Sequence, residues 1–579
     1  MKQLFLGNAA VARGAYEAGV RVVSSYPGTP STEITEEMVR YSEVDVEWAP
    51  NEKVAAEVAV GASLANGRAM SCMKHVGLNV MADPVFTASY LAPPGGLVFC
   101  VADDPGMHSS QNEQDSRHYA KAAKIMMLEP SDAEECRDFA RDAFELSEKF
   151  HTPVFLRLST RVSHSQGLVE PGEVQVHVPG PYVKNAQRVA VPVNSRKMHV
   201  EVEKRTEQEV CFAENCAYNR IENHGSRIGV ITSGISYMYA REALGDQVNY
   251  LKLGIVYPLP EELIRNFAAQ CECVYVIEEL DPFLEEHCRA LGVDVRGKEL
   301  FTPIGEYNAD MISRVVLGRP LAEHVQPLET RLPARPPVMC AGCPHRGVFY
   351  VLAKLGLHVA GDIGCYTLGA NAPLNSMDFN LCMGASIGTA FGMVKAQGRE
   401  FGKKVVSVIG DSTFIHSGIT GLIDIVYNQG NNTILILDNS TTGMTGHQDN
   451  PTTGRTIRGI PTRQVDLELL CKAVGVTRVK IVDPFDVELM EKTLREELEA
   501  DEPSVIISQR PCALLKSVRY QGKFRVTEDC RKCRRCMKLG CPAITCRNGV
   551  VSIDPLQCVG CGLCEHVCPF GAMVREENT

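Results

Sequence analysis

The sequence predicts an α/β protein: several doubly wound domains followed by a small, cysteine-rich C-terminal module. Three observations carry that prediction. Short apolar runs alternate with amphipathic stretches through residues 1–165, 226–330 and 331–516, the rhythm of strands and helices in open parallel sheets. The chain has 579 residues, well beyond the ~250–300 at which a single core stops growing. Between residues 530 and 568 lie nine cysteines, eight of which fall in two runs of four with closely similar spacing.

Composition narrows the class. Apolar residues make up 45% and charged residues 22%, as in an ordinary soluble protein. A net charge of −11 argues against a broad nucleic-acid-binding surface. No apolar run approaches the ~20 residues that span a bilayer. The N-terminus, MKQLFLGNAA, carries one Lys and enters a βα pattern at once, so no secretory signal is expected. Twenty-three cysteines in such a chain point to metal or cluster ligation rather than disulfides. A reducing cytoplasm follows, in an anaerobe or under low oxygen.

The first domain is expected over residues 1–165. Leu4-Phe5-Leu6 precedes a helix over 9–18, and Val22-Val23-Ser24 leads into the turn Tyr26-Pro27-Gly28-Thr29-Pro30-Ser31, where Pro30 is placed to open the next helix. Further strands are expected at 98–102 and 154–158. Glu52 opens the helical stretch NEKVAAEVAVGASLANG, where an acid is favourable against the helix dipole whatever else it does. Met73-Lys74-His75-Val76-Gly77-Leu78-Asn79 follows a short strand. Lys74 and His75 either line a pocket or lie in solvated loop.

Residues 166–225 are Pro- and Val-rich and then charged, and read as a linker with a surface helix; Cys211 and Cys216 within it read as plain thiols. From Arg227 the α/β rhythm resumes through IGVIT, LGIVYPLPEELIRNFAAQ and CVYVIEEL, with nothing that looks catalytic.

The block 331–516 carries the central motif. A strand over 404–409 ends in Gly410-Asp411-Ser412-Thr413-Phe414, and a second over 433–437 ends in Asp438-Asn439-Ser440-Thr441-Thr442. In a parallel sheet both ends open into one crevice. A carboxylate and an amide oxygen there are hard ligands suited to Mg²⁺ and a bound phosphate, and Gly410 lets backbone N–H groups come close. The plain alternative is a βα turn with an incidental Asp. The block opens with Cys340-Ala341-Gly342-Cys343, alone either a redox pair or half of a zinc site. Cys382 and Cys471 fall in helical patterns and read as buried thiols.

Residues 517–579 give the most specific signal. Cys530-x2-Cys533-x2-Cys536-x4-Cys541-Pro542 is followed by Cys558-x2-Cys561-x2-Cys564-x3-Cys568-Pro569. The second run is the bacterial two-cluster ferredoxin spacing, and the first differs by one residue. The fourth Cys of each run reaches the other cluster. One [4Fe–4S] cluster is therefore assigned to Cys530, Cys533, Cys536 and Cys568, and its partner to Cys558, Cys561, Cys564 and Cys541. A zinc ribbon is the alternative, difficult to reconcile with eight Cys so spaced. Cys546 has no assignment. Arg531, Lys532, Arg534, Arg535 and Lys538 either form a docking patch for an acidic protein or balance the anionic clusters.

Taken together, YPGTPST, NEKVA…GASLANG, KHVGLN, CAGCPHR, LDNSTTGMTGHQ and RPCALL resemble the 2-oxoacid:ferredoxin oxidoreductases, specifically the α subunits of their indolepyruvate branch. The resemblance covers nearly the whole chain. It implies a pyrimidine-binding domain (1–165), a transketolase C-terminal-like domain (226–330), a thiamine diphosphate-binding domain (331–516) and the ferredoxin-like 2[4Fe–4S] module. Mg²⁺ would be held by Asp411, Asn439 and the Thr441 carbonyl, with Ser412 in place of the family's usual second Gly. Gly364, Tyr366, Gly443 and Met444 would add cofactor contacts. Glu52 would hydrogen-bond the aminopyrimidine of thiamine diphosphate, and Thr29 would lie near the substrate carbonyl. The family's carboxylate-binding Arg has no match in VFCVADDPGMHSSQ; Lys74 or His75 stands in as the candidate. Cys340, Cys343, Cys365 and Cys512 fit a third, proximal [4Fe–4S] site. The implied reaction is oxidative decarboxylation of arylpyruvates from aromatic amino acids, with coenzyme A taking the acyl group and ferredoxin the electrons. A missing γ-type domain implies a β subunit and an α₂β₂ assembly. Another 2-oxoacid, or non-oxidative decarboxylation beside structural clusters, is the alternative.

Overall fold

The computed structural model describes residues 1–321, 332–333 and 335–576. The chain divides into two compact units, Met1–Glu329 and Thr330–Thr579. The domain boundary expected between residues 330 and 331 lies outside the described residues.

In the first unit seven strands form one sheet, in the order Ile255–Tyr257, Met127–Leu128, Val154–Ser159, Leu97–Asp103, Ala69–Lys74, Val22–Ser25 and Asp45–Trp48. Every neighbouring pair is parallel except the first. Leu97–Asp103 and Ala69–Lys74 are buried along their whole length, as strands covered by helices on both faces must be. The N-terminal strand Gln3–Leu6 stays outside this sheet and pairs antiparallel with Gln166–Val169, and the helix Gly7–Glu17 follows it with no intervening turn. The helix expected to open at Pro30 begins at Thr32, with Ser31 as its cap.

Residues 166–225 are more than a linker. Besides that edge strand they contain the helix Pro192–Asn215, whose buried Arg205 donates to the Ser89 carbonyl (3.0 Å), the Ser89 hydroxyl (3.1 Å) and the Lys124 carbonyl (3.3 Å). A four-stranded sheet follows, in the order Cys273–Ile277, Ile228–Ser233, Asn249–Leu253 and Arg220–Glu222, with only the last pair antiparallel. This region lends Ile255–Tyr257 to the larger sheet, and one apolar core runs from Ala56 and Phe99 through to Phe267 and Val276. Buried ion pairs bind the same two layers. Arg117 donates to Asp115 and Glu278 (both 2.5 Å), and Arg157 to Asp103 (2.8 Å) and Glu129 (2.6 Å).

The second unit is built on six parallel strands, in the order Phe379–Asn380, His358–Gly361, Val405–Gly410, Thr433–Asp438, Ser504–Gln509 and Arg478–Val482. Strand order reverses between His358–Gly361 and Val405–Gly410, the kind of switch point at which α/β sheets bind ligands. The C-terminal module has two small antiparallel pairs, Phe524–Val526 with Met573–Arg575 and Ile544–Arg547 with Val550–Ile553. Its Leu539, Ile544 and Leu563 share a core with Phe349 and Leu352 of the helix His345–Leu355. Among the described residues no helix is long and apolar enough to cross a membrane.

Candidate functional site

Beside the switch point the register sets Gly410 opposite Leu437, so Asp411 and Asp438 leave adjacent strand ends side by side. Asp411 starts the next helix, its Oδ1 accepting from the Ser412 N–H (2.8 Å) and its Oδ2 from the Thr452 hydroxyl (3.3 Å). Burial, and then the neighbouring Asp438, push its carboxyl up to about 8. No Lys, Arg or His pairs with it among the described residues. A buried carboxylate pair with no counter-charge is what a divalent cation would satisfy, so the residues fit Mg²⁺.

The surroundings fit a diphosphate as well. Asn439 and Thr441 are buried, and Asn439 Oδ1 accepts from the Thr441 N–H (3.3 Å). Ser412, where the family has Gly, takes a hydrogen bond from the Thr442 hydroxyl (3.0 Å). Gly364 and Gly410 both pack against Tyr366: a methyl group on them would meet its Cε1 at 2.4 and 2.8 Å. The two glycines thereby let the Tyr366 ring lie against the backbone at the mouth of the crevice. Gly443 lies beyond, and Met444 is exposed.

The four cysteines of the expected proximal site converge at the edge of this crevice. Cys343 senses the charge of Cys340 and Cys365, Cys365 that of Cys512 and Cys340, and Cys512 that of Cys340. The Cys512 N–H donates to the Asn439 carbonyl (2.9 Å). A methyl group on Gly443 would stand 3.5 Å from the Cys365 sulfur and 3.8 Å from Asn439 Nδ2. Burial pushes Cys343 up to about 12 and Cys365 up to about 11, so only metal binding would hold these sulfurs as thiolates. Cys471 is buried in a helix as expected, but Cys382 is exposed, in the bend before the helix Ala385–Gln397. The apolar run that suggested a helix there begins three residues later.

The C-terminal cysteines sort into two apolar cavities. One is lined by Cys530, Cys533, Cys536 and Cys568, with Val551 and Met573. The other is lined by Cys541, Cys558, Cys561 and Cys564, with Ile544 and Leu563. The crossed pairing fits two cubane clusters, and the extra residue before Cys541 does not remove it from its set. Cys546 belongs to neither lining. Arg531, Lys532, Arg534, Arg535 and Lys538 are all exposed.

In the first unit, Glu52 is the first residue of the helix Glu52–Leu64, whose cap is the Asn51 side chain accepting from the Val54 N–H (2.9 Å). It is buried, as are Lys74 and His75, which therefore are not solvated loop. Lys74 ends a central strand and His75 begins a helix. Lys74 Nζ donates to the Ser109 carbonyl (2.8 Å), and the Ser109 hydroxyl donates to the Thr29 carbonyl (3.1 Å). Thus the loop after Leu97–Asp103 folds over Lys74 and Thr29. Burial lowers Lys74 to about 8, against the pull of Asp104 and Glu52. His75 Nε2 pairs with the Asn112 carbonyl (3.2 Å).

Comparison with known proteins gives the family. Residues 13–226 match the family model for pyruvate flavodoxin/ferredoxin oxidoreductase, thiamine diphosphate-binding. Residues 362–508 match the C-terminal binding domain of thiamine pyrophosphate enzymes, and 551–574 a 4Fe–4S binding domain. The chain is 43% identical to the indolepyruvate oxidoreductase subunit IorA of Archaeoglobus fulgidus, over 99% of this chain and 97% of that one. The IorA subunits of Methanothermobacter thermautotrophicus and Pyrococcus horikoshii are 40% and 39% identical over the same shares. The chain belongs to the IorA family. It is a thiamine diphosphate-dependent 2-oxoacid:ferredoxin oxidoreductase chain that carries iron–sulfur electron transfer.

In this IorA-family chain three further residues shape the crevice, to which the sequence reading gave no role. Asp438 supplies the like charge beside Asp411. His345 is buried, 3.4 Å from Asn439 Nδ2 and edge-on to Tyr366, and burial lowers it to about 4, leaving a neutral ring. Asp362 accepts from the Ile363, Gly384 and Ser386 N–H groups (2.8–3.0 Å) and fixes the opposite lip of the switch point. The strand-end positions of Asp362 and Asp438 were a usable sequence signal; the burial of His345 was not.

Proposed function

We propose that this chain is the catalytic α subunit of an enzyme that oxidatively decarboxylates arylpyruvates with coenzyme A, yielding aryl-acetyl-CoA and CO₂. Electrons would pass through three [4Fe–4S] clusters to ferredoxin. A β subunit would complete the enzyme, as an α₂β₂ assembly in the cytoplasm.

One observation carries the oxidative reading: the four-cysteine group abuts the Asp411–Asn439 crevice through Gly443 and the Cys512–Asn439 hydrogen bond. A non-oxidative decarboxylase has no use for a redox centre at the lip of its cofactor crevice. The aryl preference rests on the names of the IorA relatives.

Thiamine diphosphate, when bound, supplies the nucleophilic carbon and the electron sink for decarboxylation. The chain's residues would hold and orient it. Asp411, Asn439 and the Thr441 carbonyl would hold Mg²⁺ against the diphosphate, and Gly364, Gly410, Tyr366 and Gly443 would shape its bed. Glu52 would share a proton with N1′ of the pyrimidine. Lys74 Nζ, with His75 beside it, would pair with the substrate carboxylate next to Thr29. Cys340, Cys343, Cys365 and Cys512 would hold the first cluster, and the two C-terminal sets the others.

Viologen reduction by the purified αβ complex, with coenzyme A and a panel of 2-oxoacids, tests the reading. Coenzyme A-dependent reduction with arylpyruvates fastest is expected. Aldehyde release without viologen reduction would defeat it, and equal rates with all 2-oxoacids would defeat the aryl assignment alone.

A further inference from the structure

Arg346, at the start of the helix His345–Leu355, is 2% exposed. Its guanidinium donates only to main-chain carbonyls: Leu539 (2.7 Å), Cys340 (3.0 Å) and Met339. Nε has no hydrogen-bond partner, and among the described residues no carboxylate pairs with it. A buried guanidinium without an anion is costly, far more so than one in water.

The place of that charge is informative. Arg346 lines the cavity of Cys541, Cys558, Cys561 and Cys564, together with Ala341 and Gly342. The Cys340–Cys343 loop also touches this cavity's wall: a methyl group on Gly342 would stand 2.7 Å from Val559. The other C-terminal cavity has cations too, Arg531, Arg534 and Arg535, but they are exposed and screened by water.

We propose that Arg346 is the built-in counter-charge of the Cys541/Cys558/Cys561/Cys564 cluster. It makes that cluster more readily reduced, and the contact of the Cys340–Cys343 loop with its cavity wall makes it the one placed to accept electrons from the Cys340/Cys343/Cys365/Cys512 group. An iron–sulfur cluster held by four thiolates is anionic and gains a further negative charge on reduction, so a fixed, unscreened cation favours the reduced form. One electron leaves the first cluster, which is oxidised, and reduces the second; no proton or ligand moves. The inference rests on the cluster assignment made above.

The test uses the full αβ complex with Arg346→Gln and Arg346→Lys, read by iron content and by redox titration followed by electron paramagnetic resonance. Cys541→Ser and Cys568→Ser assign the two C-terminal signals. Arg346→Gln should make the Cys541-set cluster at least tenfold harder to reduce, about 59 mV more negative for one electron, while the Cys530-set cluster shifts less. Arg346→Lys should stay near wild type. Should Arg346→Gln lose only the Cys541-set cluster, retention in Arg346→Lys supports the counter-charge and loss in both overturns it. Unchanged potentials in an iron-replete Arg346→Gln complex also overturn it. A wild-type complex lacking these clusters would instead defeat the cluster assignment.

Discussion

The α-carbon of Gly77 lies against the carboxylate of Glu52. A methyl group there would stand 2.6 Å from Glu52 Oε1 and 2.7 Å from Cγ, nearer than side chains tolerate. Gly77 thus fixes where the acid points, without itself offering any chemistry.

Gly77→Ala should therefore mimic loss of Glu52. Exchange of the cofactor's C2 proton should slow by about 10²–10⁴-fold in Glu52→Gln, the range for a positioned acid or base, and measurably in Gly77→Ala. Cofactor binding by fluorescence quenching should change little in either. Full exchange in Gly77→Ala would remove the steric argument.

Lys74 gives a pH signature. Its pKa lies at about 8, so it is a cation below that pH and neutral above it. If Lys74 pairs with the substrate carboxylate as proposed, affinity for an anionic 2-oxoacid should be fully present well below pH 8 and be lost as pH rises through it. KM should climb roughly tenfold per pH unit beyond about 8, with kcat less affected. Lys74→Met should raise KM by about 10–100-fold, the worth of a charged hydrogen bond, and flatten the pH profile.

Iron content addresses the third cluster. Three cubanes require about twelve irons per chain, and two require about eight. Cys365→Ala should lower the count by about four and leave the two ferredoxin-type signals in place. A wild-type value near eight would exclude the proximal site.

The exposed basic residues around Cys530–Lys538 make electron delivery salt-sensitive if they dock an acidic protein. Ferredoxin reduction should slow steeply between about 50 and 300 mM salt, as screening predicts, while viologen reduction should not. Equal responses would leave these residues as charge balance for the clusters.

Arg117 holds the two layers of the first unit through Asp115 and Glu278, all three almost fully buried. Removing one member of such a network strands the others, at about 3–5 kcal/mol. Arg117→Ala should lower the thermal unfolding temperature clearly, whereas Arg227→Ala, at an exposed pair with Glu272, should not.

The parallel sheets were legible because central strands such as Val405–Gly410 and Thr433–Asp438 are mostly apolar and run into glycine or acid at their ends. The cysteine sets were legible because cluster ligation demands fixed spacing. Other features had no such pattern. Arg346 looks like the tail of a C-x-x-C motif until burial shows it without a carboxylate. For Lys74 and His75 the sequence left pocket and solvated loop equally open, because the residues that cover them, Ser109 and Asn112, lie more than thirty positions away. The helix Pro192–Asn215 was expected at the surface, and its polar majority is there; one arginine clips it down. In each case long-range packing decided what local composition could not.

The borrowed strand Ile255–Tyr257 also has a consequence for biosynthesis. The first sheet's own strands are complete once Ser159 has been made, yet its outer edge closes only about a hundred residues later. At about 5–20 residues per second, the nascent chain waits on the order of 5–20 s with the outer edge of Met127–Leu128 unpaired. Chaperone occupancy on stalled ribosomes should end after residue 257 has cleared the exit tunnel, not at residue 165.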